Sequence, residues 1–307
     1  MKNIQADIKS GNFKQVYLLY GEEAYLKQQY KQNLVKALNP DGDTMNFNHY
    51  EGKGIDVKQL IDLCETMPFF AERRVVLLED TGFFKNKCEE LADYMKELPD
   101  YLYLVFAETE VDKRNRMYKA VKAYGSIAEF IRQDEKTLMR WAAGILGKAG
   151  KKITQRDMEL LLTKTGTDMG NLRMEMEKLI SYTEGRDVVT AEDIEEICTT
   201  QTTNRIFDMV RAVTEKNQKR ALELYYDLLT LKEPPMRILF LLAKQYRQLL
   251  LAKQFAAAGL AQTEIGSKLG VPGFVVKNIT TCARAYTISE LEQAVKDFVD
   301  AEESVKT

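Results

Sequence analysis

Two short segments carry residue types that could do phosphate chemistry. The first is Gly21-Glu-Glu-Ala-Tyr-Leu-Lys27-Gln28, directly after an apolar run. A phosphate-binding loop reads G-x-x-x-x-G-K-[ST], because glycine lets backbone amides close on the phosphates and the hydroxyl ligates magnesium. Gly21 and Lys27 fall in that register. Leu26 stands where the second glycine belongs, Gln28 replaces the hydroxyl, and Glu22 and Glu23 would repel a triphosphate. The second segment is Glu79-Asp80, which ends Val75-Val-Leu-Leu78 where an ATPase would place a magnesium carboxylate. Without a phosphate loop, an acidic pair there reads as an ordinary surface feature. A domain with this shape and without its chemistry is expected to work through protein contacts.

Other chemistries find less support. Cys64, Cys88, Cys198 and Cys282 make no Cys-x-x-Cys pair, and the single histidine, His49, has no ligand-spaced partner. That argues against a zinc site. The cysteines read as buried apolar side chains. His49 reads as a strand or loop residue, since no Ser or Cys constellation calls for it. No catalytic residue, metal or cofactor is expected.

The third distinctive segment is Thr66-Met67-Pro68-Phe69-Phe70-Ala-Glu-Arg-Arg74. Pro68 ends the preceding helix, since the residue before a proline avoids helical angles. Phe69 and Phe70 are then neighbours on a connection, where adjacent side chains point in different directions. Either one ring packs inward while the other caps the sheet, or the pair is an exposed anchor for a partner's pocket. Rigid aromatics suit the second role, because they bury large area at small entropic cost.

These segments must be placed by regular elements. Val16 to Tyr20, Val75 to Leu78 and Tyr101 to Ala107 are continuous apolar runs. Thr44 to Tyr50 alternates, and Ser126 to Ile131 follows a basic helix. Helices are expected after Gly21, over Ile55 to Cys64, over about 85–98 and over about 112–124. Apolar strands separated by helices imply a parallel sheet covered on both faces. The first 140 residues therefore read as an α/β domain of nucleotide-binding type.

Beyond it strand signals nearly vanish. Thr154 and Asp157 form a helix start with Ile153 stapling onto Met158; Thr190 repeats the device, and Ser289-Glu-Leu-Glu292 is a third capping box. Residues 141–206 read as a small helical lid. Residues 207–307 read as a helical bundle of four or five helices, split at Lys232-Glu-Pro-Pro235 and Gly270-Val-Pro-Gly273. In the lid, Leu172, Leu179 and Tyr182 fall on a packing face, with Glu175 and Lys178 as a surface pair. Thr263 to Lys277 could pass for a helix-turn-helix, but Phe274, Val275 and Val276 suit packing better than base readout. Lys113, Arg114, Arg116, Lys119 and Lys122 form the densest basic stretch, either a solvated helix face or a contact for DNA phosphates.

Composition sets outer bounds. The chain has 307 residues, 45% hydrophobic and 29% charged, with a formal net charge of −2. That balance argues against tight autonomous binding to nucleic acid. No run is long enough to span a bilayer and the first eleven residues hold no apolar signal region, so a cytoplasmic protein is expected.

The order of several segments resembles the delta subunit family of bacterial DNA polymerase III, which opens the sliding clamp. They are Gln15 to Leu26, Met67 to Leu78, Gly166 to Tyr182, Gln245-Tyr-Arg247 with Leu249, Leu250 and Lys253, and Gly270 to Lys277. The resemblance spans essentially the whole chain. It implies an AAA+-like α/β domain without a working phosphate loop, a helical lid and a helical collar for oligomerisation. It places the clamp-binding element on Met67, Pro68, Phe69 and Phe70, with two aromatics where some relatives have Leu-Phe. Lys113, Arg114 and Arg116 are candidates for DNA contact. The implied partners are the beta sliding clamp, the gamma/tau ATPase subunits, delta-prime and primed DNA reached through the assembly. The chain would then be a non-catalytic subunit, the polymerase activity lying in another chain. The rival expectations are an active AAA+ ATPase with an unusual loop and a helical DNA-binding regulator.

Overall fold

Every apolar run of the first 140 residues becomes a strand. The structure, a computed structural model, describes residues 2–199, 202–271 and 273–306, with backbone alone at 2, 202–204, 274, 305 and 306. The chain divides into two units, residues 1–133 and 134–307.

The first unit runs α1 (Lys2–Ser10), β1 (Val16–Tyr20), α2 (Ala24–Leu38), β2 (Phe47–Glu51), α3 (Val57–Glu65), β3 (Arg74–Glu79), α4 (Glu89–Tyr94), β4 (Leu102–Glu108), α5 (Arg116–Tyr124) and β5 (Ser126–Glu129). The strands form one five-stranded sheet in the order β2-β3-β4-β1-β5, parallel throughout. Because successive side chains leave opposite faces of a strand, each apolar run feeds two cores. Leu18, Val76, Leu78, Leu104 and Phe106 pack on one face with Leu60, Leu91, Met117 and Val121. Tyr17, Leu19, Val75, Leu77 and Val105 pack on the other with Ile4, Leu34 and Leu38. The result is a three-layer α/β domain around a parallel sheet, as the sequence indicates.

Four elements differ from expectation, α1 because no helix was expected before the first strand. The helix expected over 85–98 is only Glu89–Tyr94. Residues before it form turns held by Phe84, which is fully buried, and by Asn115, whose amide donates to the Phe83 and Asn86 carbonyls at 3.3 and 2.9 Å. The basic helix starts at Arg116 rather than 112. Asp112 turns the chain by accepting from the Arg114 amide, and Asn115 caps the helix by accepting from the Met117 amide at 2.9 Å. The strand expected from Thr44 begins only at Phe47, because Asp43 folds the preceding residues by accepting from the Met45 amide.

The second unit runs α6 (Glu135–Lys148), β6 (Lys152–Ile153), α7 (Gln155–Thr165), α8 (Met169–Tyr182), β7 (Val188–Val189), α9 (Ala191–Ile197), α10 (Thr202–Thr214), α11 (Gln218–Thr230), α12 (Pro235–Ala257), α13 (Gln262–Leu269), α14 (Gly273–Ala283) and α15 (Ile288–Lys306). β6 and β7 form a two-residue parallel pair that no strand signal announced. Thr154 caps α7, accepting from the Asp157 amide at 3.1 Å, and Thr190 with Asp193 closes a capping box on α9. The third box is Thr287 with Glu290, not Ser289 with Glu292. The Glu290 carboxylate accepts from the Thr287 amide at 2.6 Å, which puts Ser289 inside α15. Six helices occupy the described part of 202–306, more than expected, because α13 and α14 are short. Val210, Tyr246, Leu249, Ile265, Val276, Ile279 and Leu291 share one core there. Ile206, Met209, Leu224, Leu228 and Ile238 share another.

Candidate functional site

The position of a phosphate loop is filled by the protein itself. Gly21 has φ +124°, and a Cβ added there would stand 2.3 Å from the carbonyl oxygen of Phe130. Its glycine is needed for the close approach of this turn to the end of β5, where the Glu23 amide donates to the Phe130 carbonyl at 2.9 Å. Lys27 turns back to donate to the Glu108 carbonyl at 3.0 Å, and burial lowers its pKa. Leu26 packs against the buried layer below. The Glu79 carboxylate is taken on both sides, by Lys31 at 2.5 Å and by His49 Nε2 at 2.9 Å. Asp80 accepts from the Thr109 amide at 2.8 Å, and Glu108, its pKa raised by burial, accepts from Thr81 Oγ1 at 2.6 Å. These residues do not fit a magnesium triphosphate. The cradle is occupied by backbone and apolar side chain, and each carboxylate already has its donors.

The aromatic pair lies at the opposite, amino-terminal end of the strands, on the segment entering β3. Neither ring packs inward, so the reading in which one ring fills the core is overturned. Met67, Phe69 and Phe70 are 75%, 57% and 94% exposed, and Pro68 is half-buried. The two rings meet edge to face with centroids 4.5 Å apart. Phe70 has φ 50°, a left-handed conformation costing a residue with a Cβ about 1–2 kcal/mol. That turn is what brings neighbouring rings together instead of letting them diverge.

Sequence reasoning missed the polar side chains that hold this ridge. Asn46, 3% exposed, accepts from the Phe69 amide at 2.7 Å and donates to the Phe69 carbonyl at 2.8 Å. Arg74, also buried, donates through Nε to the Thr66 carbonyl at 2.9 Å and through Nη2 to the Met67 carbonyl at 3.3 Å. In the sequence Asn46 is one polar position in an alternating run and Arg74 one end of an apolar one. Only the Asp43-x-x-Asn46 spacing, a turn signature, hinted at anything more.

The remaining candidates are placed as follows. Lys113 pairs with Glu129 at 2.9 Å, Arg114 with Asp112 at 3.0 Å and Arg116 with Asp93 at 2.7 Å, all exposed. Leu172 and Leu179 are buried as expected, but Tyr182 is exposed. Glu175 is buried rather than a surface group, accepting from Lys178 at 2.6 Å and from the Thr199 amide at 3.1 Å. Helices α13 and α14 meet through Gly266 and Val276, so the second helix of that pair is used for packing. The side chain of Phe274 lies outside the described residues. All four cysteines are buried and unpaired, and burial pushes the Cys64 and Cys198 thiols up to about 12. Among the described residues no group of three or more His, Cys, Asp or Glu could hold a metal ion, and no helix is long and apolar enough to cross a membrane.

Comparison with known proteins gives a consistent result. Residues 17–130 match the family described as DNA polymerase III, delta subunit, and residues 203–307 match the family described as DNA polymerase III delta subunit, C-terminal domain. The chain is 26% identical over 318 residues to DNA polymerase III subunit delta of Bacillus subtilis (strain 168), covering 99% of this chain and 91% of that one. It is 22% identical over 276 residues to the probable DNA polymerase III subunit delta of Aquifex aeolicus (strain VF5), covering 85% and 77%. The solved Bacillus subtilis DNA clamp loader delta protein superposes with a TM-score of 0.65 at 24% identity, over 100% of this chain and 94% of that one, which establishes a common fold.

Proposed function

The chain belongs to the DNA polymerase III delta subunit family, and from that premise we propose that it opens the sliding clamp by docking the Phe69–Phe70 ridge into an apolar pocket of the ring. One observation carries the reading. Two adjacent aromatic rings stand in solvent on a tethered backbone, one of them in a costly conformation. Exposed apolar surface and local strain together mark a binding site more often than an accident. Met67 and Pro68 flank the rings and complete the contact. Burying each ring in a partner is worth about 2 kcal/mol or more.

Binding alone opens nothing. The ridge must favour a clamp conformation sprung at one interface over the closed ring, and only that difference in affinity shifts the equilibrium. The nucleotide that times the cycle then belongs to partner ATPase subunits, since the site of this chain does not fit one. We assign residues 141–206 to a lid and 207–307 to the collar joining those partners and delta-prime. Lys113, Arg114 and Arg116 are assigned to DNA phosphates within the assembly, exchanging exposed carboxylate partners whose attraction is worth at most about 1 kcal/mol. The setting is cytoplasmic, and the chain is a non-catalytic subunit.

The deciding experiment measures clamp affinity of the full chain carrying Phe69→Ala and Phe70→Ala. The affinity is expected to fall about a hundredfold or more. Parental affinity in that double variant removes the assignment.

A further inference from the structure

We infer that Asn46, oriented by Asp43, is a positioning residue that preforms the Phe69–Phe70 ridge for its partner, an inference that rests on the docking role proposed above.

Asn46 lies just before β2. Its Oδ1 accepts from the Phe69 amide at 2.7 Å, and its Nδ2 donates to the Phe69 carbonyl at 2.8 Å. The side chain therefore mimics a strand neighbour for the residue that precedes the left-handed Phe70. The second proton of Nδ2 goes to Asp43 Oδ2 at 2.5 Å. That bond selects the orientation of the amide, because the flipped form would aim its NH2 at the Phe69 N–H and its oxygen at a carboxylate. Asp43 is itself fixed at both backbone ends by the Asn39 side chain, with bonds of 2.8 and 2.9 Å. The Asn46 carbonyl also accepts from the Val75 amide at 2.9 Å, anchoring the clip to the start of β3. A relay of three polar side chains thus runs from the end of α2 to the ridge.

The need for it follows from the ridge's conformation. Two mutually contacting rings in solvent gain little from one another, and an untethered Phe70 would leave the left-handed region. The free chain would then present diverging rings, and docking would carry the cost of ordering them. The clip removes that cost beforehand. Because the side-chain hydrogen bonds of Asn46 go to ridge backbone and Asp43 and to no strand of the sheet, its loss should loosen the ridge and spare the sheet.

The test uses the full-length chain with Asn46→Ala and, separately, Asp43→Ala. Three quantities are read: clamp affinity, the thermal midpoint, and hydrogen exchange at the Phe69 amide. Asn46→Ala is expected to weaken clamp binding about tenfold, to speed Phe69 exchange, and to leave the midpoint within a few degrees of the parent. Asp43→Ala, which removes a partly exposed side chain, should give a smaller loss in the same direction and decides the matter if Asn46→Ala does not fold. Parental affinity, or unchanged Phe69 exchange, in the folded variants overturns the inference. The exchange readout needs no clamp, so failure of the docking role, seen as undiminished binding without the rings, remains distinguishable.

Discussion

At the scale of single residues, the chain keeps the outline of a nucleotide site while redirecting each of its groups. Gly21 serves a turn, Lys27 a carbonyl, and Glu79 the Lys31 ammonium and the His49 ring. Residue types were legible in the sequence; their partners were not, because a hydrogen bond across 23 or more positions leaves no local pattern. Asn46 is the sharpest instance, and Asp43 makes it testable by pH. Hydrogen bonding from the Asn46 amide holds the Asp43 carboxyl below its ordinary range. A carboxyl depressed in the folded state contributes order above its unfolded pKa and loses it as pH falls through the lower folded value. Protection of the Phe69 amide should therefore be constant through neutral and mildly acidic pH and decline only below the usual carboxylate range. Protection that instead declines near pH 7 would detach Asp43 from the ridge.

At the scale of elements, runs and caps were the readable part. Val16 to Tyr20 and Val75 to Leu78 announce buried strands because every side chain is apolar, whichever face it takes. Thr154 and Thr190 announce helix starts because a cap is a local event. The helix over 85–98 failed for the opposite reason: Phe83 and Phe84 are drawn into the core by the rest of the fold, which bends the chain where periodicity alone would continue it. The start of α15 was misread by two positions, since Thr287-Ile-Ser-Glu290 and Ser289-Glu-Leu-Glu292 satisfy the same rule. Mutation separates them. Thr287→Ala should lower stability by about 1 kcal/mol, whereas Ser289→Ala, inside the first turn, should change it by less than about 0.5 kcal/mol. Urea denaturation monitored by circular dichroism measures both, and the reverse ranking would restore the Ser289 box.

At the scale of the whole molecule, a five-stranded parallel sheet and a helical second unit leave nucleotide binding as a property that can be measured outright. A ligand that binds the native state at a hundred times its Kd raises stability by about 2.7 kcal/mol. Millimolar magnesium ATP is expected to leave the melting temperature of the purified chain unchanged. A clear upward shift would show that the turn at Gly21 rearranges to admit phosphates, and the rival reading of an active ATPase would replace this one. The family assignment does not depend on that outcome, because it rests on matches in both units.

The ridge enters β3 at its amino end, while Glu79 closes the same strand at its carboxyl end, five steps on from Arg74. At about 3.3 Å per residue the strand spans some 16 Å between them. In open α/β sheets small molecules habitually settle at the carboxyl edge, and here that edge is already neutralised from within. Compounds shaped like ATP would consequently find little to hold there. On the docking role proposed above, a compound meant to silence the chain would instead imitate two touching benzyl groups.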